Sequence, residues 1–411
     1  METEKIKKRL NHIYESSEDF HKIYTPIELC NEMLDKIPNL SNNLDILVMF
    51  NLEFLIALKS RLNNDLSKVW FLTPCPIKKQ IAINSGIKEN FIIDYEYNSK
   101  INVENMPKFD VVIGNPPYHK IKIGNGDASG KPFWHKFVEL AFSITKENGY
   151  ICLVHPSTWR FGKVSERSAI YNAQQLLFNK QIKYLKTFFQ FEKLGVMVDF
   201  YIVQNKPAEE KTNIDFLDGN DNININGIIT YIKNYSNILI KSIENKCFSK
   251  IDNNLITVWG WGGEWENLDE KKKKDNYNWK KGPKIINKLG FPHIYHYNKK
   301  VIGRVSRKIQ AIYDEGNIGI GDHNYYLLVN NEIEGKNLEF IWNSDLMIFF
   351  QKIYNTFCDW SKEGGVFWNS NIPFKRLFCS NEKLITSNED LYKFYNFSEE
   401  EINYINKQLN N

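Results

Sequence analysis

An α/β chain, built on a doubly wound and mostly parallel sheet and followed by a C-terminal α+β domain, is predicted by three features of the sequence. Short apolar runs alternate with helix-patterned stretches between residues 44 and 204, the alternation that places parallel strands between helices. One run, Phe-Asp-Val-Val-Ile-Gly at 109–114, stops in the rigid corner Asn115-Pro116-Pro117-Tyr118. After Pro207 the composition shifts to an Asn-rich stretch (Asn213, Asn220, Asn222, Asn224, Asn226), which reads as a boundary of loops and short β segments. The expected organisation is an α/β domain over residues 1–206, a linker or insert over 207–290 and the α+β domain over 291–411.

Residues 1–22 read as a helical lead-in. Thr25-Pro26-Ile27-Glu28 then opens a helix, with Thr25 as N-cap, Pro26 in the first helical position and Glu28 three residues after the cap. Leu29, Met33 and Leu34 carry its apolar face towards Pro38. Strands are expected at 44–50, 69–73, 91–93 and 109–114, with helices over 53–62 and 77–85. Strands at 150–155, 184–189 and 200–204 extend the sheet, after a helix over 133–146. Residues 290–329 look β-rich, and Ser398 before Glu399, Glu400 and Glu401 caps a final acidic helix start.

With 411 residues, 42% of them hydrophobic and 14% aromatic, the chain can fill the cores of two or three domains. No apolar run approaches the roughly 20 residues that span a bilayer, and Met1-Glu2-Thr3-Glu4-Lys5 lacks the apolar segment of a signal peptide. A cytoplasmic chain with no membrane partner is expected. Cys30, Cys75, Cys152, Cys247, Cys358 and Cys379 form no Cys-x-x-Cys pair, so neither a disulfide framework nor a metal site is indicated. The net charge of +4 permits a polyanionic partner without demanding one.

The corner at 115–118 carries the chemistry. A planar amino group has two hydrogens to give, and the Asn115 side-chain oxygen and Pro116 carbonyl could accept both. The two prolines fix φ and hold those acceptors still, and the Tyr118 ring offers a face on which a flat base stacks. In sheets of this kind ligands sit at the carboxyl ends of strands, where Asn115 falls.

This tetrad resembles that of the N6-adenine DNA methyltransferases of restriction-modification systems, written Asn/Asp-Pro-Pro-Tyr/Phe. The resemblance implies the S-adenosylmethionine-dependent methyltransferase type of sheet, with residues 1–206 catalytic and residues 291–411 a DNA target-recognition domain. It implies methyl transfer from S-adenosylmethionine to N6 of a flipped-out adenine in double-stranded DNA, with Asn115, Pro116, Pro117 and Tyr118 catalytic and a restriction endonuclease as a separate partner. Tyr24, Thr25 and Pro26 match the N-terminal motif that covers the methionine end of the cofactor. Asp94 matches the third-strand acid that contacts the cofactor adenine, or is a solvated strand-end residue. Trp134 and Phe137 match aromatic positions on the cofactor side, or pack as core. The segment Gly149 to Trp159, with Pro156, follows the family's Gly-x-x-x-x-x-x-Pro-x-x-Trp pattern, and His155 within it reads as structural.

Two cofactor motifs depart from the family. The first strand runs Asp45-Ile46-Leu47-Val48-Met49-Phe50-Asn51-Leu52-Glu53-Phe54 without a glycine, where the family has Asp-Pro-x-x-Gly-x-Gly. The acid at the end of the second strand is replaced by Thr73-Pro74-Cys75-Pro76. Either Asn51 or Glu53 takes over polar contacts to the cofactor, or the chain is a catalytically silent DNA-binding relic. A protein-glutamine N5-methyltransferase, which shares the tetrad, is the further alternative. For DNA, Lys120, Lys122 and Lys131 lie in a Gly-rich stretch that fits a lid, or a plain surface loop. Phe188 or Phe189 offers an opposite face for the base, and Arg304, Arg307 and Lys308 suit phosphates. Residues 337–378 loosely resemble the family's target-recognition region through Asn343-Ser344, Gly364-Gly365 and Ile372-Pro373.

Overall fold

Nine strands form one sheet among the described residues of the first half. The computed structural model describes residues 24–94, 106–119, 132–160, 166–188, 197–225, 227, 232–247, 256–258, 284–286, 292–294, 300–304, 311–315, 324–354 and 382–410. The chain divides into two compact units, Met1–Ile232 and Lys233–Asn411. The boundary drawn from composition at 206 comes before two strands that hydrogen-bond to the first unit's sheet.

In that unit α1 (Ile27–Asp35) leads to β1 (Ile46–Met49), α2 (Leu52–Arg61), β2 (Val69–Thr73), α3 (Pro76–Asn84), β3 (Ile92–Asp94) and β4 (Phe109–Gly114). Then follow α4 (Trp134–Ile144), β5 (Thr145–Pro156), α5 (Tyr171–Asn179), β6 (Lys180–Phe188), β7 (Val198–Pro207), β8 (Thr212–Phe216) and β9 (Gly219–Ile223). The strand order is β3-β2-β1-β4-β5-β7-β6-β8-β9. Pairings from β3 through β5 are parallel, and β7 runs antiparallel to both β5 and β6. This is the doubly wound α/β class that the alternating runs predict.

The central strands read as continuous apolar runs because helices cover both faces. All four residues of β1 are buried, and so are Val111, Val112 and Ile113 of β4. Winding goes from β1 outward to β3 on one side and then resumes at β4 on the other. The reversal puts a switch point between the carboxyl ends of β1 and β4, the place where open α/β sheets bind ligands.

Two local features differ from the sequence reading. Pro26, not Thr25, occupies the N-cap of α1, and no side chain caps that helix. The Thr25 hydroxyl is engaged elsewhere. The helix α5 was not expected: its buried stripe of Ala173, Gln174, Leu177 and Phe178 contains a glutamine, which interrupts the apolar signal. The Gln174 amide donates to the Trp159 carbonyl at 2.6 Å, so the polar group is satisfied inside the core.

A buried ion pair ties the end of β5 to β7. Arg160, closing a short 3-10 turn after β5, donates to Asp199 of β7 at 2.8 Å, and neither side chain has exposed surface. Arg160 also donates to the Ile232 carbonyl at 2.5 Å, while the Ile232 N–H returns to the Arg160 carbonyl at 3.0 Å.

In the second unit the order β10 (Ile256–Val258), β15 (Asn324–Leu328), β13 (Lys300–Arg304), β14 (Ala311–Asp314) makes an antiparallel sheet, and β11 (Lys284–Ile286) pairs with β12 (Pro292–Ile294). Its helices are α6 (Ile238–Cys247), α7 (Glu332–Asn343), α8 (Asp345–Tyr354), α9 (Asn388–Phe394) and α10 (Glu399–Asn410). Two asparagines of α7 act as substitute peptide groups. Asn343 accepts from the Ala311 N–H at 2.9 Å and donates to its carbonyl at 3.0 Å, while Asn337 does the same across Ile385 and Lys383 at 2.7 Å each. The acidic start of α10 is a capping box: Ser398 Oγ accepts from the Glu401 N–H at 3.2 Å, and Glu401 accepts from the Ser398 N–H at 2.7 Å.

Candidate active site

Gly114 ends β4 opposite Met49, the last residue of β1. A Cβ at Gly114 would stand 2.7 Å from the Met49 carbonyl oxygen and 2.8 Å from its Cβ, so the strands approach as closely as a bare backbone allows. Gly114→Ala should cost about 1–3 kcal/mol by forcing these strands apart, measured as a lower midpoint in urea unfolding. A wild-type midpoint would mean that the two strand ends yield freely.

The chain then leaves the sheet through Asn115-Pro116-Pro117-Tyr118, all buried. Two prolines let it turn here without stranding two backbone donors. The Asn115 N–H is taken by Asn51 Oδ1 at 3.1 Å, and the Tyr118 carbonyl accepts from the Phe133 N–H at 2.8 Å just before α4. The corner is therefore held from both sides.

Across the switch point, β1 ends in a strained turn. Phe50 has φ of +69°, its N–H bonds to the Leu72 carbonyl, and the following Asn51 N–H bonds back to the Met49 carbonyl at 2.9 Å. An i to i+2 hydrogen bond around a positive φ is the uncommon, strained form of γ-turn, costing about 1–3 kcal/mol at a non-glycine residue. The turn survives because Phe50 is packed edge-on against Phe137 and its carbonyl accepts from the buried Lys78 ammonium at 3.1 Å. Phenylalanine here follows the left-handed backbone path that glycine favours, with its side chain in the core.

One hydroxyl joins these two loops. Thr25 Oγ1 accepts from Asn51 Nδ2 and from Asn115 Nδ2, each at 3.2 Å, and the Thr25 N–H donates to Glu53 Oε1 at 2.9 Å. Three buried oxygens in this neighbourhood have no hydrogen-bond partner: Asn115 Oδ1, the Tyr118 hydroxyl and the Tyr24 hydroxyl. Burial pushes Tyr118 far above the usual tyrosine range, and the Asn115 side chain beside it opposes that rise. Burial and then the Glu53 charge push Tyr24 up to about 12. Both phenols stay protonated, and so remain donors, throughout the physiological range.

Behind the corner, Trp134 stacks on His155 with ring centroids 4.1 Å apart, and His155 Nε2 lies 2.8 Å from the Tyr201 hydroxyl. Burial lowers His155 to about 3, so its ring is neutral at physiological pH and carries no charge into the site.

Residues 32–194, from within α1 to just past β6, match the model of the Eco57I restriction-modification methylase family. An uncharacterized adenine-specific methylase of Mycoplasma pneumoniae is 30% identical over 121 residues, covering 27% of this chain and 28% of that protein. The chain resembles adenine methyltransferases of restriction-modification systems. It spans little more than a quarter of the length of this curated relative. Among solved structures, a modification subunit of a putative type I restriction enzyme from Vibrio vulnificus YJ016 is similar with 12% identity and a TM-score of 0.39, over 51% of this chain and 50% of that one. The type IIG restriction endonuclease BpuSI is similar with 10% identity and a TM-score of 0.42, over 95% of this chain and 65% of that one.

Within this methylase-like unit, Asn115 and its tetrad are brought together with Thr25, Asn51 and Glu53. Pro26 stands at the helix cap. Asp94 ends β3 at the sheet edge, exposed and paired with Lys79 at 3.1 Å. Trp134 and Phe137 are core residues, each 1% exposed. Phe188 closes β6 and Arg304 closes β13, their side chains lying outside the described residues. Lys120, Lys122, Lys131, Phe189, Arg307 and Lys308 lie wholly outside them. Sequence reasoning missed Lys78, whose place in a Lys78-Lys79 pair suggests a solvated face. It also missed the His155–Tyr201 contact, whose partners are 46 residues apart.

Proposed function

We propose that the chain transfers a methyl group from S-adenosylmethionine to N6 of an adenine extruded from double-stranded DNA. The observation that carries this reading is the Asn115 Oδ1 atom: a buried acceptor without a partner, on a proline-fixed corner at the sheet's switch point. A buried acceptor left unpaired costs about 1–3 kcal/mol, a cost that an amine donor would remove. Asn115 Oδ1 and the Pro116 carbonyl would accept the two amine hydrogens, turning the nitrogen lone pair out of conjugation. The Tyr118 ring would hold the base, with Phe188 or Phe189 opposite. The base must leave the stack because its amine cannot otherwise reach the donor.

Tyr24 and Glu53 fit the cofactor's cationic end, one by a buried hydroxyl without a partner and the other by a buried carboxylate. When bound, S-adenosylmethionine would supply an electrophilic methyl on sulfonium. The chain's own contribution is positioning and hydrogen-bond polarisation. Lys120, Lys122, Lys131, Arg304, Arg307 and Lys308 would contact phosphates, and a restriction endonuclease on a separate chain would be the partner. Removing Arg304 should weaken DNA binding on all sequences alike and reduce the salt slope by about 1; an unchanged slope would take Arg304 out of the interface.

Sequencing the adenine methylation of a host expressing the chain, beside an Asn115→Ala control, tests the reaction. New marks in the first strain and none in the second are expected. Calorimetry with S-adenosylmethionine separates an enzyme from a silent DNA binder: no heat at millimolar cofactor would overturn the enzyme reading.

A further inference from the structure

We infer that Lys78 is a positioning residue for Asn115, acting from outside the corner through the strained turn at Phe50; its effect on methyl transfer rests on the function proposed above. Burying an ammonium is strongly unfavourable unless it is hydrogen-bonded. The buried residues of α3 are Lys78 and Ala82, one turn apart, and Lys78 has no exposed surface. An apolar side chain would fit such a place more readily. The bond to the Phe50 carbonyl at 3.1 Å gives the charge a task.

That task follows from which peptide planes are held. The positive φ of Phe50 belongs to the junction between the peptide before it and the peptide after it. The first is fixed by the bond from the Phe50 N–H to the Leu72 carbonyl of β2 at 2.9 Å. The second carries the Phe50 carbonyl, which Lys78 grips, and the Asn51 N–H, which closes the strained turn on the Met49 carbonyl. Packing of the Phe50 ring on Phe137 holds the side chain but gives a carbonyl no direction. Loss of the ammonium removes a charge-assisted bond, of the same order as the strain, from the plane that must not turn. Asn51 follows that plane, and its Oδ1 accepts from the Asn115 N–H at 3.1 Å. The Met49 carbonyl that receives the turn also faces bare Gly114, where a Cβ would stand 2.7 Å away, so the turn meets the residue before Asn115 as well. Every link has a single polarity: ammonium and backbone N–H only donate, carbonyls only accept, and the Asn51 atom that meets a backbone N–H is its oxygen. The relay runs from α3, through the end of β1, to the corner after β4.

The test uses the full chain with Lys78→Met, alone and in Phe50→Gly and Phe50→Ala backgrounds. Glycine follows the left-handed path without strain and alanine does not, while both leave nearly the same cavity beside Phe137. Lys78→Met alone should lower kcat for the proposed methylation about 10- to 100-fold, the scale of a displacement of about 1 Å at a reacting group. A similar drop is expected when it is added to Phe50→Ala, and almost none when it is added to Phe50→Gly. Equal drops in the glycine and alanine backgrounds, or no drop in Lys78→Met alone, would overturn the inference. Crystal structures give a readout apart from activity: in Lys78→Met the Phe50 φ should turn negative and Asn51 Oδ1 should leave the Asn115 N–H. An unchanged turn with that bond intact sinks the relay. A wild-type chain that transfers no methyl would instead count against the proposed function, leaving those structures to judge Lys78. Should Lys78→Met fail to fold, Lys78→Gln, a bond too short to reach the carbonyl, takes its place; should the Phe50 backgrounds fail, the structure of the single variant decides.

Discussion

Asn115→Ala is expected to lower kcat for the proposed adenine methylation by about 10²- to 10³-fold, the size of effect seen when one preorganised hydrogen-bonding group is removed from a reacting centre. Cofactor affinity should be untouched, because the Asn115 side chain makes its described contact to Thr25 and presents its free oxygen separately. The stability change should be small, about 1 kcal/mol, since the loss is one side-chain hydrogen bond. Thr25 keeps its bond from Asn51. Methylation kinetics on DNA together with a urea titration check both halves, and a variant that keeps wild-type kcat would mean the corner does not polarise the amine. Asn115→Asp should retain part of the activity, because the Thr25 hydroxyl can turn and donate to one carboxylate oxygen while the other stays free.

Arg160→Leu is expected to be the most damaging change to stability, by about 3–5 kcal/mol, because it strands a buried carboxylate without its counter-charge. Burial already pushes Asp199 up to about 6 in spite of the guanidinium beside it. Removing Arg160 should raise it further. A carboxyl whose folded value lies above its unfolded 3.8 stabilises fully below 3.8, and that contribution is lost as pH rises through the folded value. The deficit of Arg160→Leu should therefore be larger at pH 8 than at pH 5, as read from urea unfolding at the two pH values. The double variant Arg160→Met, Asp199→Leu should recover much of the loss, since replacing both charges by apolar groups leaves no buried charge unpaired, although the Ile232 carbonyl loses a donor. A deficit that does not change with pH would mean that Asp199 finds another cation.

Much of the sheet was legible because its strands are short apolar runs in a regular alternation; Val69–Thr73 and Phe109–Gly114 form where the pattern places them. The hairpin β8–β9 was not. Its outer strand is polar and mostly exposed at the edge of the sheet, and an edge strand needs no apolar face to pair. Its asparagines read as a boundary instead. The helix α5 was hidden in the opposite way, by a glutamine buried with its amide bonded to a backbone carbonyl.

The site divides along the same line. Asn115-Pro116-Pro117-Tyr118 was readable because its chemistry is local: proline geometry, an amide and an aromatic ring follow one another in the chain. Thr25 as a helix cap was also a local expectation, and there the fold chose differently, since its hydroxyl meets Asn51 and Asn115, 26 and 90 residues away. Likewise, nothing around Phe50 announces a positive φ. That conformation exists because Leu72, Lys78 and Phe137 hold it. Neighbours along the chain dictate strand, turn and the kinds of group on offer; the direction each hydrogen bond takes, and the strain a backbone tolerates, depend on distant partners whose packing supplies the compensating energy.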